Sequence, residues 1–460
     1  MKKKIKLIAI ISVSLLAFTI CACKKYLDKK PNNSLNVPQT VQDLQALLDD
    51  GGIIMNSAQT PSFGEASADD YFVLQSIYDA RPDRDKKVYT WTPADYQFPN
   101  DWSKCYAVVY NCNYCLDNLS NIPITNDNQN IWKNVKGSAL FFRSYNFLNL
   151  CWDYAKAYDE STSNSDLGIV LRLGSDFNAP SQRASVKECY DRILADAKES
   201  IDNLPDLPLH PFRPSKASAY GLLARAYLSM RQYDSCLKYS NLCLQIKHDL
   251  IDLNIQNSSD FSTPSASFPF KQFNSETIFY TEMYLGISTV VAARSKIDTI
   301  LYASYSSNDW RKTSFFLASS GYYQFKGSYS GNGSYFTGIA VDEVYLMRAE
   351  SYARTGNKDA AMADLNTLLV KRWKSGFFSP LTATDSQDAL TKVLIERRKE
   401  LLLRGVRWMD VKRFNKGGAN MILTRIISNQ TYSLQPNSNY YALPLPTDII
   451  KLTGIQQNPL

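Results

Sequence analysis

The chain has 460 residues with 51 basic and 44 acidic side chains, a formal net charge of +7, and 12% aromatic residues including 29 tyrosines. Its lysines and arginines are scattered among acids rather than gathered in a basic stripe, which argues against a nucleic-acid partner. Only two histidines are present, so zinc sites, haem ligation and histidine triads are poorly supported.

The first 22 residues have the layout of an export signal. Four lysines between positions 2 and 6 precede an apolar stretch over 7–20. That stretch is shorter than the roughly 20 residues of a membrane-spanning helix. Ala22 is the small residue that a lipoprotein signal peptidase needs before a cysteine. The sequence therefore predicts a signal peptide over 1–22 and lipid attachment at Cys23. Cleavage there leaves 47 basic against 44 acidic residues, a net charge of only +3.

Nine cysteines suggest disulfides, but Cys21 is lost with the signal and Cys23 carries lipid. The remaining seven are an odd number, which argues against complete internal pairing. Cys112 and Cys115 form a single CxxC, a weak signal for a metal or redox site. Buried cysteines in small-residue positions are the favoured interpretation.

Beyond a polar tether over 23–40, we expect a single domain over 41–460. Apolar residues recur at helical spacing over 41–48, 106–119, 131–158 and 186–204. Two helix pairs, starting at Lys216 and Asp342, match the tetratricopeptide pattern, in which small residues let paired helices approach closely. The predicted fold is mainly α, a tetratricopeptide-like repeat scaffold over 41–52, 104–250 and 340–415, with little β structure.

Two long excursions interrupt this scaffold, at 53–103 and 254–338. Both lack helical periodicity, and we predict a hairpin around Gly331-Asn332-Gly333 in the second. The segment 416–460 is expected to be irregular. Long excursions on a rigid scaffold are common places for binding residues.

The segment 396–414, ERRKELLLRGVRWMDVKRF, predicts a helix, a stop at Gly405 and a second short helix, with Glu400 and Arg404 as an i,i+4 ion pair. It closely resembles the C-terminal signature of the SusD/RagB family of nutrient-binding surface lipoproteins. Further resemblances lie at 23–28, 183–205, 341–373 and 441–460, in the same order as in the family.

The resemblance implies a non-enzymatic, lipid-anchored outer-membrane protein exposed at the cell surface. It also implies a partner, a SusC-like TonB-dependent transporter, over which the lipoprotein acts as a lid that captures nutrient. The commonest cargo in the family is an oligosaccharide, although some members serve peptide uptake. No cofactor or metal is implied.

Sugars bind to flat aromatic faces surrounded by polar side chains that reach the hydroxyls. Both excursions contain this combination, although many of these aromatics are also expected to anchor loops. The candidate ligand residues are Asp70, Tyr78, Arg81, Trp91 and Tyr96 in the first excursion, and Tyr305, Asn308, Trp310, Arg311, Tyr322 and Tyr323 in the second.

The acidic pair Glu396 and Glu400 is the main sequence feature that favours an enzyme, because glycosidases use two carboxylates. Its neighbours Arg397, Arg398 and Arg404 favour an ion-paired structural helix instead. Besides oligosaccharide capture, the sequence is compatible with peptide capture through the same type of transporter. It is also compatible with a protein-interaction scaffold, since tetratricopeptide surfaces bind partner chains.

Overall fold

Helices dominate the computed structural model, which describes residue 38 and residues 40–459. The predicted signal peptide, Cys23 and most of the tether lie outside these residues. The helices are α1 (Val41–Leu48), α2 (Phe63–Ser67), α3 (Gln75–Asp79), α4 (Asp83–Tyr89), α5 (Asp101–Leu119), α6 (Gln129–Tyr154), α7 (Val186–Ile201), α8 (Lys216–Ser229), α9 (Tyr233–Ile246), α10 (Thr299–Ala303), α11 (Arg311–Ser314), α12 (Val341–Arg354), α13 (Lys358–Leu369), α14 (Ser386–Glu400), α15 (Arg407–Lys416) and α16 (Thr447–Thr453).

The strands are short and form five antiparallel pairs. They are β1 (Tyr71–Val73) with β5 (Ser295–Ile297), β2 (Leu167–Val170) with β3 (Arg183–Ser185), β4 (Thr277–Phe279) with β8 (Ile339–Ala340), β6 (Phe316–Ser319) with β7 (Tyr322–Phe325), and β9 (Leu423–Ile427) with β10 (Gln430–Leu434).

The predicted helical-repeat scaffold is confirmed. Helix α8 packs on α9, and α12 packs on α13, as the two tetratricopeptide-like pairs require. Helix α9 also packs on α12, so the pairs are neighbours although the second excursion separates them in sequence. Helices α5, α6 and α7 extend the stack on one side and α14 on the other, which buries one continuous core.

Local sequence explains where the helices begin and how closely they pack. The side chains of Asn100, Ser185 and Ser215 each accept a hydrogen bond from the third helical N–H of α5, α7 and α8. Gly221 in α8 is needed for close packing, because a Cβ there would lie 2.7 Å from Ile339 Cγ2.

The seven cysteines between residues 40 and 459 are buried, and none is in a disulfide. Cys243 occupies a small-residue position in α9, where its thiol donates to the carbonyl oxygen of Ala217 at 3.2 Å. Burial raises the pKa values of both CxxC thiols, Cys112 and Cys115, and so disfavours the reactive thiolate.

Several local expectations were wrong. The hairpin of the second excursion is β6–β7, whereas Gly331-Asn332-Gly333 forms only turns and bends. The segment 416–460 is not irregular, since it contains β9–β10 and α16. Helix α14 ends at Glu400, before Gly405, and Leu403 has a positive φ of 55°. Arg404 therefore lies outside the helix and pairs with Asp342, while Glu400 binds other arginines.

Residues 41–460 form one compact unit. In the described part of the chain, no helix combines the length and apolar character that crossing a bilayer requires.

Candidate functional site

Two pairs of aromatic rings from the two excursions lie at the β6–β7 hairpin, Tyr302 with Tyr323 and Phe72 with Tyr322, and together we call them the aromatic platform. Because Tyr322 and Tyr323 are consecutive in β7, the two pairs lie on opposite faces of the hairpin. Phe72 lies on β1, Tyr302 on α10, and Tyr322 and Tyr323 on β7. Tyr322 is 38% exposed and the other three are half-buried. The platform therefore combines solvent-accessible rings with a packed base.

Strand pairing and a tight turn hold the platform together. Phe72 pairs with Lys296 in the β1–β5 ladder, and the Lys296 ammonium donates to Ser319 Oγ at 2.8 Å. Ser320 and Gly321 connect β6 to β7 with φ values of 53° and 78°. Positive φ at both central residues defines the two-residue turn that matches the twist of a hairpin. This turn places Tyr322 at the hairpin tip.

The rings of the platform contact each other in two geometries. Tyr302 and Tyr323 are stacked, with centroids 3.6 Å apart and an interplanar angle of 13°. Phe72 and Tyr322 meet edge to face at 5.1 Å and 82°. The Lys312 ammonium lies 4.9 Å from the centre of the Tyr302 ring. Partial burial, followed by the Tyr323 hydroxyl, raises the pKa of Tyr302 to about 12, so its hydroxyl remains a neutral hydrogen-bond donor.

Two other candidates from the second excursion, Tyr305 and Arg311, are core residues. Tyr305 is 1% exposed and donates its hydroxyl to the carbonyl oxygen of Lys399 at 2.7 Å. Arg311 is fully buried and its guanidinium contacts three carboxylates, those of Asp309, Glu396 and Glu400. A ligand on the surface does not reach either side chain.

Arg311 belongs to a larger group that we call the buried ionic cluster. Its members are Glu276, Asp309, Arg311, Arg372, Glu396, Lys399 and Glu400. Arg372 joins Glu276 to Glu400 with two contacts of 2.7 Å. Buried arginines pair with these carboxylates, as the ion-paired interpretation of Glu396 and Glu400 requires. The carboxylates are not arranged as a free acid and base across a cleft.

Three candidates from the first excursion are also buried with partners inside the protein. Asp70 accepts from Arg398 Nε at 2.8 Å. The Trp91 indole N–H donates to the carbonyl oxygen of Ser67, and the Tyr96 hydroxyl donates to that of Pro444. Burial raises the pKa of Asp70, and the facing arginines oppose that shift. All three side chains anchor the excursion and are out of reach of a ligand.

The last four candidates are half-buried and have their partners outside the platform. Tyr78 packs on Tyr89, with centroids 6.0 Å apart, and Arg81 donates to the carbonyl oxygen of Ile77. The Trp310 indole N–H donates to Asn254 Oδ1 at 2.9 Å, and the carbonyl oxygen of Asn308 accepts from the amide N–H of Lys374. Of the eleven predicted residues, only Tyr322 and Tyr323 lie on the platform.

Sequence reasoning missed Phe72 and Tyr302 as members of the platform. Tyr302 lies inside the predicted second excursion and Phe72 follows Tyr71 directly. Phe72 is half-buried, whereas Tyr71 is 1% exposed. The alternation of side chains along β1 is the one local pattern that distinguishes them. The short strand was not recognised, so neither was the alternation.

Between residues 40 and 459, no group of three His, Cys, Asp or Glu side chains is placed to hold a metal ion. The aromatic platform offers aromatic faces, tyrosine hydroxyls and the nearby Lys312 ammonium.

Comparisons with known proteins agree with this architecture. The family model described as "Starch-binding associating with outer membrane" matches residues 25–228, the SusD family model matches 302–460, and a tetratricopeptide repeat model matches 217–249. SusD-like protein P2 of Formosa agariphila is 22% identical over 422 residues, which cover 78% of this chain and 79% of that protein.

Solved structures share the fold. A putative sugar binding protein from Bacteroides vulgatus has a TM-score of 0.74 at 21% identity, covering 92% of this chain and 99% of that one. A laminarin binding SusD-like protein has a TM-score of 0.61 at 18% identity, covering 90% of this chain and 97% of that one. The two family models together match most of the chain, one from each end, and the chain therefore belongs to the SusD/RagB family.

Proposed function

We propose that this protein is a non-enzymatic surface lipoprotein, anchored to the outer membrane through lipid on Cys23, that captures an oligosaccharide on the aromatic platform. The observation that carries the proposal is the platform, with the stacked pair Tyr302 and Tyr323 on one face of the hairpin and the exposed Tyr322 against Phe72 on the other. Exposed aromatic faces bind the apolar C–H side of a sugar ring, and tyrosine hydroxyls bond its hydroxyls.

The delivery step belongs to the same proposal. The captured glycan passes to a SusC-like TonB-dependent transporter, for which this protein acts as the lid. A lipid anchor keeps the binding domain close to its transporter and raises the effective concentration of captured glycan there. The relatives that support glycan as the cargo are the laminarin binding protein and the putative sugar binding protein, each of which shares the fold.

A non-catalytic role is supported by the acids that an enzyme would need. Glu396 and Glu400 lie in the buried ionic cluster, where Arg311 contacts both carboxylates and Arg372 contacts Glu400. Their oxygens accept from these guanidinium groups and from the Lys399 ammonium, which favours structural ion pairs over acid and base catalysis.

Isothermal calorimetry of residues 24–460 against a broad panel of neutral and acidic oligosaccharides tests capture. We expect at least one ligand that binds, and loss of that binding in Tyr302→Ala. If a peptide panel gives heat and no oligosaccharide does, the cargo is a peptide. Failure of every sugar and peptide, with transporter association intact, would support a protein-interaction scaffold.

A second experiment tests the anchor separately. Cys23→Ala in cells is expected to yield a folded, glycan-binding protein that leaves the membrane fraction and supports uptake poorly. Retention of this variant in the membrane fraction after a salt wash would contradict lipidation at Cys23.

A further inference from the structure

An open groove of about 690 Å³ lies next to the aromatic platform, and we call it the cationic groove. Five cationic side chains line it, and no acidic residue does so within the described part of the chain. The five are Arg354, Arg398, Lys399, Arg407 and Arg413. Its walls come from α10, α14 and α15 and from the end of α12.

The carboxylates that pair with these cations are absent from the groove lining. Arg398 and Arg407 contact Asp69 and Asp70, and Arg413 contacts Glu350. Glu350 is fully buried and Asp70 is 1% exposed. Lys399, Arg407 and Arg413 are buried, so the groove presents mainly the guanidinium groups of Arg354 and Arg398 to solvent, at 22% and 26% side-chain exposure.

Some of these cations retain donors for a ligand. Arg354 is 22% exposed at its side chain and uses only Nε–H, which donates to Glu350 Oε1 at 2.8 Å. Among the described residues, none accepts a hydrogen bond from Nη1 or Nη2 of Arg354 or from Nη1 of Arg398. Behind the groove, Arg397 is 1% exposed and both of its terminal nitrogens lack a partner in the described structure. Unused guanidinium N–H groups on ion-paired arginines can donate to a negatively charged ligand.

The groove and the platform share one helix. On α10, Ile300 and Leu301 line the groove, whereas Tyr302 stacks on Tyr323 in the platform. A helix with its side chains is about 10–12 Å across, so a chain ligand on the platform needs to cross only this width to reach the groove. This continuity favours one extended glycan over a separate peptide ligand.

We propose that the captured glycan is anionic and that its carboxylate or sulfate groups bind in the cationic groove while its rings stack on the platform. The inference rests on the proposed function and names its substrate class. Arg354 and Arg398 bond the anionic groups with their unused N–H donors. The aliphatic side chains of α10 and α14 contact the sugar C–H faces between those groups.

Calorimetry on residues 24–460 tests the charge with matched probes. Oligogalacturonate and a neutral galacto-oligosaccharide of equal length form the carboxylate arm, and sulfated laminarin and laminarin form the sulfate arm. At least one anionic probe is expected to bind ten times more tightly than its neutral counterpart, and to weaken steeply as salt rises. The arm in which the anionic probe binds more tightly identifies the recognised group as a carboxylate or a sulfate.

Two variants test the location. Arg354→Gln removes the free donors while Arg413 still pairs with Glu350. Thr391→Glu adds a negative charge at an exposed position of the groove. Each should weaken the anionic probe at least fivefold. The control Arg348→Gln alters another carboxylate-paired arginine of α12, and Thr367→Glu alters an exposed threonine bonded, like Thr391, to the carbonyl four residues earlier. Neither control residue lines the groove, and both control variants should bind as the parent does.

The outcomes separate the two proposals. If neutral probes bind as well as anionic ones, or if Arg354→Gln and Thr391→Glu bind normally, the anionic inference is wrong and glycan capture stands. If hexaglutamate binds with the same dependence on Arg354 and no sugar does, the groove is a peptide site and both proposals fall. If no oligosaccharide or peptide binds, glycan capture itself is contradicted.

Discussion

The aromatic platform and the buried ionic cluster both draw residues from the second excursion, yet they differ in burial and in the partners of their side chains. Tyr302 and Tyr305 are three residues apart. Tyr302 stacks on a half-exposed ring, whereas Tyr305 is 1% exposed with its hydroxyl bonded to main chain. Residue type alone does not separate a ligand contact from a loop anchor.

The ionic cluster and the platform differ in the partners of their side chains. In the ionic cluster every carboxylate is matched by a guanidinium or ammonium, so the cluster joins α11, α14 and the segment after α13 without a ligand. On the platform, the rings contact each other and remain partly exposed to solvent. The cluster is therefore expected to govern stability and the platform to govern binding.

The largest effect is expected from Arg311→Met. This change leaves the buried carboxylates of Asp309, Glu396 and Glu400 without their shared guanidinium. We expect the free energy of unfolding in urea to fall by about 3–5 kcal/mol, the usual cost of breaking a buried ion pair from one side. Tyr322→Ala is the control, with a change within about 0.5 kcal/mol. A loss below about 1 kcal/mol in Arg311→Met would show that the cluster does not govern stability.

The pH dependence of the free energy of unfolding should differ between Asp153 and Glu350. The Asp153 carboxylate accepts from a main-chain N–H, whereas the Glu350 carboxylate faces arginines. Burial, with Asp101 nearby, raises the pKa of Asp153 to about 7, and Asp153 accepts from the Gly64 N–H. Since the folded-state pKa lies above the unfolded one, this group makes stability fall as pH rises from about 4 to 7. Asp153→Asn should remove this fall in stability, about 4 kcal/mol between those pH values, measured by urea unfolding at several pH values.

Glu350 should behave in the opposite way. Burial opposes ionisation, but Arg413 and Arg354 outweigh it and hold the pKa of Glu350 at about 2. Its contribution to stability is present above pH 4.5 and is lost as pH falls towards 2. Glu350→Gln should therefore reduce the acid sensitivity below pH 4.5 and leave the slope between pH 4 and 7 unchanged. The same slope change in both variants would contradict the distinction.

A smaller effect, confined to binding, is expected from Tyr322→Ala. Loss of the hairpin-tip ring should weaken the glycan about tenfold, or about 1.4 kcal/mol, in calorimetry. Leu317→Ala is the matched control, because Leu317 is exposed on the same hairpin at 48% and is not aromatic. Equal weakening in both variants would indicate that the hairpin shape matters and the aromatic ring does not.

The smallest effect is expected from Arg81→Ala. Arg81 was a sequence candidate, but its Nε–H donates within its own segment to Ile77. Glycan affinity should change less than twofold and unfolding free energy by no more than about 0.5 kcal/mol. A tenfold loss of affinity would extend the binding surface into the first excursion.

The scaffold was predictable because its signals are local. Small residues such as Gly221, Cys236 and Cys243 recur at helical spacing, and paired helices need them at their contact. The ion pairing of Glu396 and Glu400 was also anticipated from the surrounding arginines. Their actual partners, Arg311 and Arg372, were not, because these lie 85 and 28 residues away in sequence.

The amino-acid sequence by itself determined the helical repeats, the two excursions and the family, since periodicity and ordered motifs are encoded within short segments. Only the tertiary structure decided which aromatics are exposed, which of the eleven candidates lie in the core, and that an acid-free cationic groove adjoins the platform. The physical reason is that burial and charge pairing depend on contacts between distant segments. Phe72 meets Tyr322 across 250 residues of sequence, and no local pattern records such a contact.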